Sequence, residues 1–470
     1  MAGKIVISGA GISGLLYALL LTRQGKGKHI YLVDKCENPG GLLRRFNYGE
    51  HGDFDYGMHN LMETGINALD ELLFGLLPED EWQVLEGDKR DLSGVFINGV
   101  LQKHSPYIDL RNLSLDDYRA CVVDLLEHLD HAPISSQTTY ANAEDFVVNL
   151  FGRMVAEKAI LPSLEKIHKR KAAELDYMAT IFTPMSRVVF CDEHLSRELT
   201  LSPMLRKRIA WSEQRTLPPD RSSGRRSLYP SKYGIYRIVD AIIHRLREAG
   251  VQFCFASEIV GVQTKDNMAE SVLLRQGFNQ ISLNDIELLV WAANIPLLGR
   301  YLGLDFTGIT YDKSLRTVVV NILLDRLPVG MGDLYYFFCY DPRFHTYRLT
   351  NFSNYCCGAP RNSGIPIAME LLIDDEIAKT VDLAQLAIDE LFRFGITAPD
   401  TKIIFSKAEQ LDSGFPMPSL NNIGGLRSIR NQISDLALSN LQLVGILAED
   451  NLFFQTDVLI DVYKKVQSAC

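Results

Sequence analysis

"KIVISGAGISGLLYALLLTRQGKGKHIYLVDK", residues 4–35, opens the chain almost at its first residue. The apolar run Lys4 to Ser8 reads as a strand, and about Gly11 to Gln24 as a helix. A second strand-like run ends at Asp34. Between the first strand and the helix stand Gly9, Gly11 and Gly14, spaced G-x-G-x-x-G. The spacing has a mechanical purpose. Gly9 allows a tight turn, Gly11 lets the backbone approach a pyrophosphate, and Gly14 lets helix and strand pack closely. The helix start, at Ile12 and Ser13, then offers free N–H groups and a partial positive charge to phosphates. Asp34 lies 20 residues beyond Gly14. From there its carboxylate, with Lys35 beside it, is placed to meet a ribose. Strand, turn, helix and acid are in register, which points to dinucleotide binding.

The next stretch, "KCENPGGLLRRFNYGEHGDFDYGMHNL" (residues 35–61), bears on which dinucleotide. Gly40 and Gly41 follow Asp34 by six and seven residues. This resembles the second glycine motif of FAD enzymes related to amine oxidases and protoporphyrinogen oxidase. There the acid is followed by a short loop, a Gly-Gly pair and often an arginine, a part open to Arg44 or Arg45. "FDYGMHNL" (54–61) resembles the family's FD-x-G-x-H stretch, which runs past the flavin ring. The resemblance implies FAD as cofactor. It adds Gly41, Leu42, Arg44, Gly57, Met58 and His59 to its contacts.

Further patches resemble the same superfamily. "NLFGRMVAEKAILPSLEKIHKRKAAELD" (149–176) is similar to a helical segment of UDP-galactopyranose mutases and their relatives. Phe151-Gly152 and Lys166 fit, while His168 replaces a tryptophan. "SLYPSKYGIYRIVDAIIHRLREAGVQFCFASEIVGVQ" (227–263) resembles the return to the FAD domain, with apolar Ile238, Ile242 and Leu246 on a helix. The resemblance implies that the backbone near Ile259 meets the adenine. "LLVWAANIP" (288–296) resembles a strand ending beneath the cofactor at Ala292. "NLQLVGILAEDNLFFQTDVLIDVYKKV" (440–466) resembles the C-terminal strand, loop and helix, which implies contacts from Gly445, Glu449 or Asp450, and Asp457. Relatives usually carry Gly-Arg where this chain has Gly445-Ile446.

The implied fold is α/β. A Rossmann-like FAD-binding domain of the glutathione-reductase type, amine-oxidase-like, is interleaved with a mixed α+β substrate domain. The FAD-binding segments are expected at 1–90, 226–300 and 405–470. Residues 91–225 and 301–404 would supply the substrate domain, a helical insert plus an antiparallel sheet. "LSLDDYRACVVDLLEHL" places Leu115, Tyr118, Val122, Leu125 and Leu126 at helical spacing after Ser114, a plausible N-cap. "LRTVVVNILLD" and "GDLYYFFCYD" are β-branched and aromatic runs that read as strands.

The 470 residues are 47% apolar and 23% charged, with a net charge of −10. That is ordinary for a globular protein and argues against general nucleic-acid affinity. No apolar run reaches the roughly 18 residues that span a bilayer. The opening apolar segment reads as a strand rather than a signal peptide, so a cytoplasmic location is expected. The eight cysteines contain no CxxC pair. They read as free thiols, with no metal site. Residues 205–226, "LRKRIAWSEQRTLPPDRSSGRR", carry seven Arg or Lys against two acids. They read either as a solvated surface loop or as a mobile flap that meets an anionic substrate.

On the protein side His59 is the catalytic candidate. By the resemblance it lies near the isoalloxazine, where it would serve chemistry or structure. Tyr335, Tyr336, Arg343 and Tyr347 are candidate substrate contacts, since aromatics and a forked cation suit a sugar ring and a diphosphate. A packed sheet face explains such tyrosines too. The partner would be a small molecule, with a nucleotide sugar among the candidates. Three readings stay open. One is an FAD-dependent oxidoreductase acting on a small organic or sugar-related substrate by hydride transfer to flavin N5. The others are a mutase-like flavoenzyme with no net redox change and a flavin-binding protein that has lost catalysis.

Overall fold

A computed structural model describes residues 3–86, 92–131, 140–217, 225–361, 363–411 and 416–468. It divides into two compact units. The first comprises Met1–Gln83, Arg225–Thr310 and Gly424–Cys470, the second Val84–Gly224 and Tyr311–Ile423.

The first unit is built on a five-stranded parallel sheet. Its order is Gln252–Cys254, Ile30–Val33, Lys4–Ser8, Ile286–Trp291, Leu441–Leu443. Parallel strands are covered on both faces and so read as unbroken apolar runs. Ile5, Val6 and Ile7 are accordingly buried. The first helix, Ile12–Arg23, is apolar all round and buried from Ser13 to Leu21. It packs against the helices Tyr236–Glu248 and Gln455–Ser468. Tyr236–Glu248 turns Ile238, Ile242 and Leu246 inward. Lys4–Ser8 has Ile30–Val33 on one side and Ile286–Trp291 on the other. The chain thus emerges at Gly9 between neighbours on both sides, the place where parallel α/β sheets open a ligand crevice. A separate antiparallel sheet, Glu258–Lys265, Met268–Gln276 and Asn279–Asn284, packs Ile259, Val272 and Leu274 into one core with Val33 and Trp291.

The second unit holds a seven-stranded sheet. Its order is Ile403–Gln410, Arg316–Leu324, Ile365–Ile373, Thr346–Asn351, Tyr336–Cys339, Ser93–Ile97, Val100–Gln102. Along Arg316–Leu324, Val318, Val320 and Ile322 join a core with Ala387 and Leu391 of the helix Leu383–Arg393. Phe338, Tyr340 and Tyr347 join a second core with the helical insert, including Phe151 and Leu164. The sheet is not purely antiparallel as expected. Tyr336–Cys339 pairs in parallel with Ser93–Ile97. Those strands come from different inserted segments, so no hairpin dictates their relative direction. Ser93–Ile97 is instead hairpinned to Val100–Gln102 through Asn98-Gly99, both at positive φ. The helix Leu115–His131 starts where expected. Ser114 Oγ accepts the Asp117 N–H at 3.2 Å and donates to its carboxylate at 2.8 Å.

Candidate cofactor site

The three glycines of the opening turn differ in what holds them. Gly9 has φ +100°, and a Cβ there would lie 2.8 Å from the Ala292 carbonyl oxygen. A Cβ on Gly14 would lie 1.9 Å from the Gly9 carbonyl oxygen. The protein's own packing therefore requires both. Gly11 is the N-cap of the first helix at φ −72°, ψ 176°, a conformation open to any residue. The nearest atom to its would-be Cβ is Gly41 Cα, 4.0 Å away. No side chain caps the helix and no acid stands in its first turn.

The second glycine pair lies against the first. Gly40 donates its N–H to the Ala10 carbonyl at 2.7 Å and forms a parallel bridge with Gly11. Gly41 has φ +58°, and its would-be Cβ sits 3.0 Å from Gly11 Cα. Asp34 is committed to this junction. Its Oδ2 accepts the Ala10 N–H at 2.7 Å and its Oδ1 the Cys36 N–H at 2.8 Å. Each oxygen keeps lone-pair capacity for a further donor. Ser257 donates its N–H to the Asp34 carbonyl, tying in the segment that leads to Ile259. Lys35 is exposed and Leu42 half-buried. Arg44 donates Nε to the Gly41 carbonyl at 2.9 Å and Nη2 to the Tyr56 hydroxyl at 3.2 Å. Its guanidinium lies 4.6 Å from the Tyr56 ring centre. Burial pushes the Cys36 thiol pKa up, against the pull of Arg44.

The stretch 54–61 is anchored by an acid. Asp55 is fully buried. Its carboxylate accepts the Tyr229 hydroxyl at 2.5 Å and the Ile235 N–H at 3.0 Å. Its own N–H donates to the Tyr233 hydroxyl at 3.0 Å. The Tyr229 hydroxyl also accepts the Gly234 N–H at 3.1 Å. This clamp joins the strand Asp53–Asp55 to the loop that starts the helix Tyr236–Glu248. Beyond it come Gly57 at φ +103°, buried Met58 and half-buried His59.

The C-terminal loop reaches the same junction. Val444 donates its N–H to the Trp291 carbonyl. Gly445 has φ +102°, and its would-be Cβ lies 3.4 Å from Ser13 Oγ. Ile446, where an arginine was the family expectation, is exposed. Glu449 pairs with Lys465 at 3.0 Å, and Asp450 pairs with Arg427 at 2.9 Å and with Arg430. Burial opposes it, yet the two arginines hold the Asp450 carboxyl below its usual range. Both acids thus already have cationic partners. Asp457 lies in the first turn of Gln455–Ser468.

The structure therefore brings together Gly9, Gly11, Ser13, Gly14, Asp34, Gly41, Arg44, Ala292 and Gly445 around one helix start. Ile259 packs in the adjoining core. Sequence reasoning missed the Asp55–Tyr229–Tyr233 clamp, although Asp55 stood in the quoted motif. The four substrate candidates belong to the second unit. Tyr335 and Tyr347 are buried, the first 5.2 Å from the Tyr355 ring centre, the second in the core with Phe338. Tyr336 is half-buried beside Arg348, and Arg343 pairs with Asp341 at 2.6 Å. In the basic stretch 205–226, Arg208 is buried with Nε on the Leu150 carbonyl, and Arg215 pairs with Glu213 and Asp333. Arg226 pairs with Glu63. Each of these three side chains thus has a partner within the protein. Residues 218–224 lie outside the described residues.

The NAD(P)-binding Rossmann-like domain family matches residues 7–73. Among curated proteins none matches in sequence. Among solved structures the chain is similar to a reduced UDP-galactopyranose mutase, with TM-score 0.76 and 18% identity over 100% of this chain and 95% of that one. It is similar to a protein of Exiguobacterium sp. 255-15 assigned as a protoporphyrinogen oxidase, with TM-score 0.67 and 14% identity over 100% and 99% of the two chains. A putrescine oxidase bound to putrescine gives TM-score 0.58 and 10% identity over 100% and 99%. The opening segment thus matches a Rossmann-like domain model, and the fold is shared with these solved structures over the length of the chain. Among the described residues no helix is long and apolar enough to cross a membrane.

Proposed function

We propose that this chain is an FAD-dependent oxidoreductase acting on a small organic or sugar-related substrate. The observation that carries the reading is Gly11. A Ser, Thr, Asp or Asn at an N-cap stabilises a helix by about 1 kcal/mol relative to Ala and by a few tenths relative to Gly. Gly11 forgoes that in a place where its own protein leaves room for a Cβ. What remains is a reason outside the chain, a group that must approach the backbone and the free N–H groups behind it. The residues present fit a dinucleotide. Backbone N–H groups of Ile12 and Ser13 would hold the pyrophosphate. Asp34, already fixed by two N–H donors, would keep its remaining lone pairs for the ribose, with Lys35 beside it.

When bound, the flavin supplies the hydride-accepting N5. His59 is the group of this chain we assign to its ring. An imidazole there can hydrogen-bond the cofactor or the substrate. His59→Ala should keep its FAD but turn over roughly 10² to 10³ more slowly. A variant that matches wild type in spectrum and reduction rate would leave His59 a core histidine.

The similarity to a mutase over the whole chain favours a second reading, a flavoenzyme that acts on a nucleotide sugar with no net redox change. Purified protein decides first between flavin and none. Flavin absorption, with FAD rather than FMN released by heat, is expected. A colourless protein that takes up no added FAD would overturn the proposal. An oxidase then depletes oxygen with its substrate, whereas a mutase needs its flavin reduced beforehand and consumes nothing.

A further inference from the structure

Asn60 follows His59, and its amide is set apart from the polar groups around it. Its Nδ2 is buried and meets no hydrogen-bond acceptor among the described residues. A buried amide donor left without an acceptor is unfavourable, because it has lost water and gained nothing. The chain is not free to turn it outward. Upstream, the Asp55 carboxylate holds the strand Asp53–Asp55 through Tyr229 and Ile235. Downstream, buried Leu61 pairs with Leu228. The segment between these anchors is only a few residues long and turns at Gly57 with φ +103°. A donor so fixed, next to the proposed active-site histidine and without an acceptor among the described residues, is explained by an acceptor on a bound group.

We propose that Asn60 is a cofactor contact, its Nδ2 donating a hydrogen bond to an acceptor oxygen or nitrogen of the bound flavin dinucleotide. The assignment rests on the FAD reading above. A neutral amide suits a neutral acceptor, such as a ring carbonyl or ring nitrogen, as well as a ribityl hydroxyl.

The test compares wild type, Asn60→Leu, Asn60→Asp and Gly11→Val. FAD is titrated into each apoprotein by quenching of flavin fluorescence, and apoprotein melting is followed by circular dichroism. Asn60→Leu keeps the approximate volume without donors, and Asn60→Asp keeps the shape while presenting only acceptors. Both should bind FAD at least tenfold more weakly. The Leu apoprotein should melt no lower than wild type, because it no longer buries an unmatched donor. Shifted flavin bands in the bound Asp variant would assign the acceptor to the ring, and weaker binding with unshifted bands to the ribityl or phosphate groups. Unchanged affinity in both Asn60 variants, with Gly11→Val unable to bind, would overturn the Asn60 assignment and leave the FAD reading standing. A lowered Leu melting temperature with unchanged affinity would also overturn it, since the acceptor would then lie within the protein or in a bound water. A wild type that takes up no FAD would overturn both.

Discussion

Gly9, Gly11 and Gly14 share one motif but answer to different neighbours, and substitution should separate them. Gly14→Ala drives a methyl to 1.9 Å from the Gly9 carbonyl oxygen, a backbone atom that cannot swing aside. Overpacking of this kind costs about 3 kcal/mol, and the urea midpoint should fall accordingly. Gly11→Val meets only Gly41 Cα, at 4.0 Å from its Cβ. With both proteins stripped of flavin, circular dichroism should match and the urea midpoints should differ by about 1 kcal/mol at most, while flavin uptake by the variant is lost. Stoichiometric flavin in Gly11→Val would show that the turn is not where the pyrophosphate sits. These glycines were legible in the sequence because close approach leaves a mark, the missing side chain at fixed spacing. The partners of Asp34 were not, because the Ala10 and Cys36 N–H groups belong to the backbone and have no residue signature. Asn60 was invisible for the opposite reason, since the partner proposed for it is a bound group rather than another residue.

Whole elements were easier to read than their pairings. The strand Lys4–Ser8, the helix Ile12–Arg23 and the apolar face of Tyr236–Glu248 lie where periodicity put them. The parallel pairing of Ser93–Ile97 with Tyr336–Cys339 depends on residues more than 200 positions apart, and no local pattern encodes it. The Asp55 clamp is of the same long-range kind, for it joins the strand Asp53–Asp55 to the loop 229–235. Asp55→Ala leaves the Tyr229 hydroxyl and the Ile235 N–H buried without their acceptor. At about 1–3 kcal/mol for each unsatisfied group, the loss should be about 3 kcal/mol. Tyr229→Phe keeps the Asp55–Ile235 bond but takes the hydroxyl from both the Asp55 carboxylate and the Gly234 N–H, so about 2 kcal/mol is expected. Urea unfolding of the two variants measures the difference. Equal losses would mean that the Ile235 N–H contributes nothing to the clamp.

The chain passes between its two units four times, because three segments build the first and two the second. Neither unit can form from one continuous piece, and the first requires Leu441–Leu443 to pair with Ile286–Trp291. Such long-range closure slows folding and makes stability a property to be measured on the full chain. Its response to acid should begin at His168 in the second unit. That side chain is 2% exposed, and burial pushes its pKa down to about 4. Lys169, Arg170 and Lys313 line a cavity with it, together with Glu174, Asp374 and Asp375. The unfolded chain therefore takes up the proton near pH 6.5 while the folded chain stays neutral. Stability is complete above pH 6.5 and falls as pH drops towards 4, at about 1.4 kcal/mol per unit and about 3 kcal/mol in all. Buried carboxylates act later. Burial opposes it, but hydrogen bonds from His345 and Thr346 hold the Glu390 carboxyl below its ordinary value. Its contribution is present above the unfolded carboxylate range and is lost only as pH falls through the folded value. Between pH 6.5 and 4.5 the His168 term should thus stand out from the carboxylates. Urea midpoints of wild type and His168→Leu, taken at half-unit steps from pH 7.5 to 4.5, isolate it from the other nine histidines. The two curves should run level above pH 7 and diverge below 6.5, with wild type falling faster. Parallel curves throughout would mean that His168 accepts its proton in the folded protein and is not held neutral by its burial.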